Sequence, residues 1–207
     1  MTKAKTAEEY IAQQRSFIAQ NPECGNSHYN LAVALLGQQK YDEAENELHE
    51  ALDCSANMAE AYVLLGGIAL QRGELEDFLK YNKMAVKARP GLSEGYGNIG
   101  FVELQRGNID EAIKNLEKAT QFNFRYIQAF NNLANAYLMK GLIEDSIENS
   151  LKAIKLNADF APAHNNLAIA YLEKGEYDLA AEHADKAVKL GYDVAPEILK
   201  EIDGYRK

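Results

Sequence analysis

Few residues in this 207-residue chain are of types that do chemistry: two cysteines, four histidines and the carboxylates. Cys24 and Cys54 stand 30 residues apart with no CxxC, CxxCH or paired histidine spacing, so no redox, haem or zinc motif is indicated, and both are expected as free thiols. The histidines, His28, His49, His164 and His183, are too scattered to assemble a metal set. GxxxxGKS/T, HExxH and GxSxG are absent. The glycines from Gly91 to Gly100 follow no strand, which removes the context a phosphate cradle needs. No nucleophile, base and metal set come together, so the chain reads as a non-enzyme with no cofactor and no metal.

What positions these residues is a repeat. The stretch from Phe160 to Leu190 reads as two amphipathic helices broken at Gly175. Leu167, Ala168 and Tyr171 share a face of the first, and Ala180, Ala184 and Ala187 share the face of the second that packs back. Shifted N-terminally by 34 residues, the pattern returns without insertion: Leu167 maps to Leu133, Ile99, Leu65 and Leu31, and Ala187 to Ala153, Ala119, Ala85 and Ala51. Helical hairpins at this period resemble the tetratricopeptide repeat (TPR).

The resemblance implies an all-α fold, a right-handed superhelical solenoid of five TPR helix-turn-helix repeats at residues 25–58, 59–92, 93–126, 127–160 and 161–194, with N-terminal and C-terminal capping helices. Residues 1–24 supply a tail and the first cap, a helix over 6–20 with Tyr10, Gln14 and Phe17 in the second-helix columns. Residues 195–207 supply the last cap, with Ile198, Leu199 and Ile202 turned inward and Lys200, Arg206 and Lys207 outward.

Columns of equivalent residues carry further expectations. Gly73, Gly107, Gly141 and Gly175 mark the hairpin turns, and Gln39, the exception, predicts a looser turn. Acids open each second helix (Asp42, Glu76, Asp110, Glu144, Asp178), where they meet the positive helix end. Small residues face each other across each hairpin, except that Phe78 needs room, which Gly66 and Gly67 are expected to make. His28 and His164 share a column with Tyr62, Tyr96 and Phe130 and are expected to pack between helices, while His49 and His183 are expected to face solvent. Cys54, in a column of apolar residues, is expected in a small apolar slot. Glu103 shares a column with Leu35, Ala69, Tyr137 and Tyr171, so its carboxylate is expected partly buried and paired, a functional contact being the alternative.

A net charge of -9 argues against nucleic acid as partner. The acids concentrate on one helix of the first repeat (Asp42, Glu43, Glu45, Glu47, Glu50, Asp53), which reads as a solvated outer face. The start has no apolar signal core and no run approaches a membrane span, so a soluble cytoplasmic protein without membrane contact is expected.

In tetratricopeptide arrays the first helices line a concave face that reads ligands. Carried onto this chain, that lining is apolar toward the N-terminus (Tyr29, Val33, Leu36, Val63, Leu70, Phe101, Leu104, interrupted by Gly67 and Gly97) and amide-rich toward the C-terminus (Asn131, Asn132, Asn135, Asn165, Asn166, with Leu138, Ile169 and Leu172). Asn30, Asn98, Asn132 and Asn166 recur at the repeat period, broken by Leu64. This column resembles the asparagine ladder of O-linked N-acetylglucosamine transferase, which grips extended peptide backbone; hydrogen bonds to neighbouring helices are the alternative. The carboxylate clamp of chaperone-binding relatives needs Lys and Arg where this chain has Tyr29, Val63, Gly97, Asn131 and Asn165, so that mode is not expected. The implied function is a scaffold that binds a peptide segment of a partner protein. The alternatives are self-assembly into a homo-oligomer, with the N-terminal helix or acidic first repeat docking into a neighbour, and an accessory subunit of a larger complex.

Overall fold

The structure, a computed structural model, describes residues 6–205. Residues 1–5 of the N-terminal tail, and Arg206 and Lys207 of the last cap, lie outside them. The described residues form twelve α-helices and no strand, in two compact units, Met1–Gly95 and Tyr96–Lys207.

The first unit holds α1 (Ala7–Gln20), α2 (Gly25–Gly37), α3 (Tyr41–Cys54), α4 (Ala59–Gln71) and α5 (Leu75–Ala88). The boundary falls inside α6 (Ser93–Gln105). The second unit continues with α7 (Ile109–Phe122), α8 (Ile127–Lys140), α9 (Ile143–Leu156), α10 (Ala161–Lys174), α11 (Tyr177–Lys189) and α12 (Pro196–Asp203). Within the units the packing is sequential: α2 on α3, α4 on α5, α8 on α9 and α10 on α11 form hairpins, and each hairpin also meets its chain neighbour.

Every hairpin turn closes in one way. The amides of Lys40, Glu74, Asn108, Leu142 and Glu176 donate to the carbonyls of Leu35, Ala69, Glu103, Tyr137 and Tyr171, at 2.8–3.0 Å. The residue before each donor is left-handed, with φ of 77° at Gly73, 75° at Gly107 and Gly141, and 80° at Gly175. This closure satisfies a helix-end carbonyl and suits glycine, which has no Cβ to clash. The looser turn expected at Gln39 is absent. Gln39 takes φ 59° and the same hydrogen bond forms. The closure is set by the packing of α2 on α3, and Gln39 accepts the unfavourable conformation it requires.

Small residues set the close crossings. Ala32, Ala44, Ala134, Ala168 and Ala180 have no exposed surface. A Cβ on Gly100 would stand 2.5 Å from Leu116 Cγ, so that helix approach requires glycine. A Cβ on Gly66 would meet Asn82 Nδ2 at 2.8 Å and the Phe78 ring at 3.5 Å. Gly66 therefore makes room for two side chains. Gly67 makes none, because the position of its Cβ is open space, which corrects the expected pair.

The first cap meets the core differently from the expectation. Ile11 is buried and Ile18 packs on the same cluster, while Tyr10 is exposed and Gln14 and Phe17 are half-buried. Those last three positions face a hairpin partner in a full repeat, and no helix precedes α1 among the described residues. At the other end α12 buries Ile202 and packs Ile198 and Leu199 against α10 and α11.

Candidate functional site

The expected lining residues fall on the first helix of each hairpin at helical spacing. In the first unit α2 carries Tyr29, Val33 and Leu36 at i, i+4 and i+7, and α4 carries Val63, Gly67 and Leu70 likewise. Tyr29 and Val63 are half-buried, whereas Val33 and Leu70 are 44% and 41% exposed. Burial raises the Tyr29 pKa, and the carboxylates of Glu60 and Glu94 raise it further, so its hydroxyl stays protonated. Asn30 is exposed and opens onto a recess of about 510 Å³ shared with Gln13, Gln14, Phe17, Gln20 and Ser27. The α1 amides were missed from the sequence, where α1 reads as a cap or as a segment that docks elsewhere and not as part of a recess.

In the second unit Asn98, Phe101, Asn131, Asn132, Asn165 and Ile169 are half-buried and Asn135 is exposed. Two expected lining residues present little surface. Leu104 is buried in the cluster formed with Ala112, Leu116 and Leu133. Asn166 is buried, and its amide donates to the Asn131 carbonyl at 3.2 Å and to Asn131 Oδ1 at 3.1 Å. For Asn166 the bond to a neighbouring helix is the one realised.

Gly97 has a specific occupant. A Cβ there would lie 2.7 Å from Tyr126 Cε1 and 3.0 Å from its hydroxyl, so the Tyr126 ring lies against α6 at that point. The signal was present in the sequence as a glycine in a column otherwise held by Tyr29, Val63, Asn131 and Asn165.

The titratable residues outside the lining are mostly paired. Glu103 is buried, and its Oε2 accepts from Asn108 Nδ2 at 2.7 Å while Arg106 stands 3.8 Å away. The acids of α3 are drawn to neighbouring cations: Glu43 to Arg15 at 2.6 Å, Asp42 and Glu45 to Arg72 at 2.8 Å each, and Glu47 to His28 at 2.7 Å. Asp42, Glu43, Glu50 and Asp53 are exposed, as a solvated outer face requires, while four of the acids also pair with cations of α1, α2 and α4. Asp110 with Lys140 at 2.6 Å and Glu144 with Lys174 at 3.0 Å repeat the Asp42 to Arg72 pairing.

The histidine column anchors the turn before it. His28 Nε2, Tyr62 Oη and His164 Nε2 donate to the carbonyls of Pro22, Ala56 and Ala158, each six residues earlier, at 2.9, 3.2 and 3.0 Å. With Nε2 on the Pro22 carbonyl and Nδ1 facing the Glu47 carboxylate, both ring nitrogens meet acceptors, an arrangement that favours the doubly protonated ring. Burial works to lower its pKa, but the bonds to Glu47 and Pro22 outweigh burial and leave it raised. His183 does not face solvent as expected. It is half-buried, its Nδ1 stands 2.9 Å from His164 Nδ1, and its ring stacks on Tyr171 at 5.6 Å. His49 is exposed. Cys54 is exposed rather than seated in a slot, and of its column Phe122 and Leu156 are exposed as well while Ala88 and Leu190 are half-buried.

Among the described residues no group of three or more His, Cys, Asp or Glu gathers to hold a metal, and no helix is long and apolar enough to cross a membrane.

Tetratricopeptide repeat family models match residues 11–59, 29–93, 127–160 and 161–193, and a model described as TPR repeat matches 100–141. No curated protein matches the chain. Among solved structures, YrrB, titled a TPR protein with an unusual peptide-binding site, superposes with a TM-score of 0.74 at 18% identity, covering 92% of this chain and 96% of that one. MamA 41-end from Desulfovibrio magneticus RS-1 gives 0.69 at 23% identity over 81% of this chain and 94% of that one. Pseudomonas aeruginosa pilF gives 0.75 at 16% identity over 97% of each. With helical hairpins at a 34-residue period and family matches running from residue 11 to residue 193, this chain belongs to the tetratricopeptide repeat proteins.

Proposed function

We propose that this chain is a cytoplasmic, non-enzymatic scaffold that holds an uncharged, extended segment of a partner protein on its first-helix faces. The observation that carries this reading is the division among the asparagines of the second unit. Asn166 spends its amide on Asn131, while among the described residues the amides of Asn132, Asn135 and Asn165 make no hydrogen bond. An amide offers one donor group and one acceptor, the complement of a peptide unit. In the first unit the exposed Val33 and Leu70, with open space over Gly37 and Gly67, suit apolar side chains of such a segment. The peptide-binding site in the YrrB title supports the same use of a similar fold. The internal pairing of the α3 acids leaves fewer free charges for the self-assembly alternative.

The test is selection of unstructured peptides from a display library, followed by titration of the recovered sequences. The variant Asn132→Ala/Asn135→Ala/Asn165→Ala keeps its helicity and binds them at least about tenfold more weakly, as loss of a few hydrogen bonds predicts. Peptides that bind wild type and variant alike would sink the reading.

A further inference from the structure

Pro22 and Gly25 both touch Cys54. The Cys54 thiol donates to the Pro22 carbonyl at 3.8 Å, and a Cβ on Gly25 would stand 3.2 Å from Cys54 Cβ. Cys24 lies in the chain between these two contacts, so the backbone brings the two cysteines, distant in sequence and without a motif, to the same junction of the α1–α2 turn with the end of α3. At the positions one, three and four repeat periods on stand Met58 and Ala88, Tyr126 and Leu156, and Phe160 and Leu190. Only the pair at 24 and 54 places a thiol at both.

The two thiols are unequal. Cys24 stands at the N-cap position of α2, and its Sγ accepts from Ser27 Oγ at 3.2 Å. That hydroxyl, followed by the backbone amide of Ser27, holds the Cys24 pKa below its usual value. Cys54 is shifted the other way by its desolvation, then by Glu50, Glu23, Asp53 and Cys24 itself. One thiol is set up as the nucleophile, and its neighbour is the protonated group available to it.

We propose that Cys24 and Cys54 form a hydroperoxide-reactive dithiol, in which Cys24 is the attacking residue and Cys54 resolves it into a disulfide between the start of α2 and the end of α3. The Cys24 thiolate attacks the distal oxygen of a hydroperoxide; the O–O bond breaks, leaving a sulfenic acid on Cys24 and releasing hydroxide or an alkoxide, which is protonated by solvent. Cys54 then attacks the Cys24 sulfur; the S–S bond forms, the S–O bond breaks, and the departing hydroxide takes the Cys54 proton as water. The two thiols give up two electrons, and the peroxide is reduced to water or an alcohol and water. A thiol reductant reverses the bond.

The test uses the full, reduced chain at low concentration with equimolar hydrogen peroxide, then N-ethylmaleimide, intact mass and a non-reducing peptide map. The expected result is the loss of two hydrogens, a linked pair of peptides containing Cys24 and Cys54, and reversal by dithiothreitol. Cys54→Ser leaves a sulfenic acid on Cys24 that dimedone traps, and Ser27→Ala slows Cys24 alkylation at neutral pH several-fold with helicity unchanged. Two thiols that remain free to alkylate, oxidation confined to Cys54-linked dimers, or alkylation of Cys24 no faster than that of Cys54 would each overturn the proposal.

Discussion

His164 Nδ1 lies 2.9 Å from His183 Nδ1, in the place where His28 Nδ1 lies 2.7 Å from a Glu47 carboxylate oxygen. The two contacts occupy equivalent positions four repeat periods apart. Since His164 donates from Nε2 to Ala158, its Nδ1 accepts, and His183 supplies the proton between them. The first contact resists a second proton on His183, and the second favours one on His28.

The two histidine contacts therefore tilt stability in opposite directions with pH. The His183 pKa is lowered by burial and then by His164, so its contribution is present above the unfolded value of 6.5 and is lost as pH falls toward the folded value. His28 is raised, so its contribution is present below 6.5 and is lost as pH rises through the folded value. Column equivalents suggest the variants: Asn115 and Asn149 stand where His183 does, and Tyr62 where His28 does. Melting temperatures from about pH 5 to about pH 8, spanning the ordinary histidine range, should show His183→Asn reducing the acid-side loss and His28→Tyr reducing the acid-side gain. Parallel curves for both variants and wild type would remove this account.

Gln39→Gly relieves the one non-glycine residue with positive φ among the described residues. The hydrogen bond from Lys40 to Leu35 is retained, and the expected stabilisation is about 1 kcal/mol, the relief of a left-handed side chain less the added freedom of the unfolded chain. Chemical denaturation reads this as a higher midpoint at unchanged slope.

Two glycines in first helices respond oppositely to alanine. Gly100→Ala drives a Cβ toward Leu116 and costs about 1–3 kcal/mol. Gly67→Ala enters open space inside α4 and stabilises by about 0.5–1 kcal/mol through helix propensity. Equal effects in a melting experiment would mean that the close approach at Gly100 is misplaced.

Ser146 and Ser150 are fully buried on α9, and neither hydroxyl has a partner. Ser150→Ala removes an uncompensated polar group and is expected to stabilise by about 1 kcal/mol. A loss of stability on denaturation would reveal a bond that the hydroxyl makes.

Much of the fold is legible because the repeat imposes one pattern many times. A glycine every 34 residues marks a turn, and alanine columns mark the crossings. The site is less legible because its residues depend on partners far along the chain. Whether an asparagine is free or spent depends on a helix 35 residues away, as with Asn166 and Asn131. Periodicity placed His183 on a second helix but did not indicate that its ring turns toward His164. Gln39 misled for the opposite reason: its own preference opposes the turn, and the packing of two helices overrides it.

The pairs Asp42 with Arg72, Asp110 with Lys140 and Glu144 with Lys174 each join the opening of one second helix to the close of the following first helix. Lying at the surface, such clasps add little to melting, but they span the seam that must gape when neighbouring hairpins flex. Added salt should therefore lower the elastic stiffness of the array, read as greater end-to-end excursion under small force, well before it lowers the melting temperature.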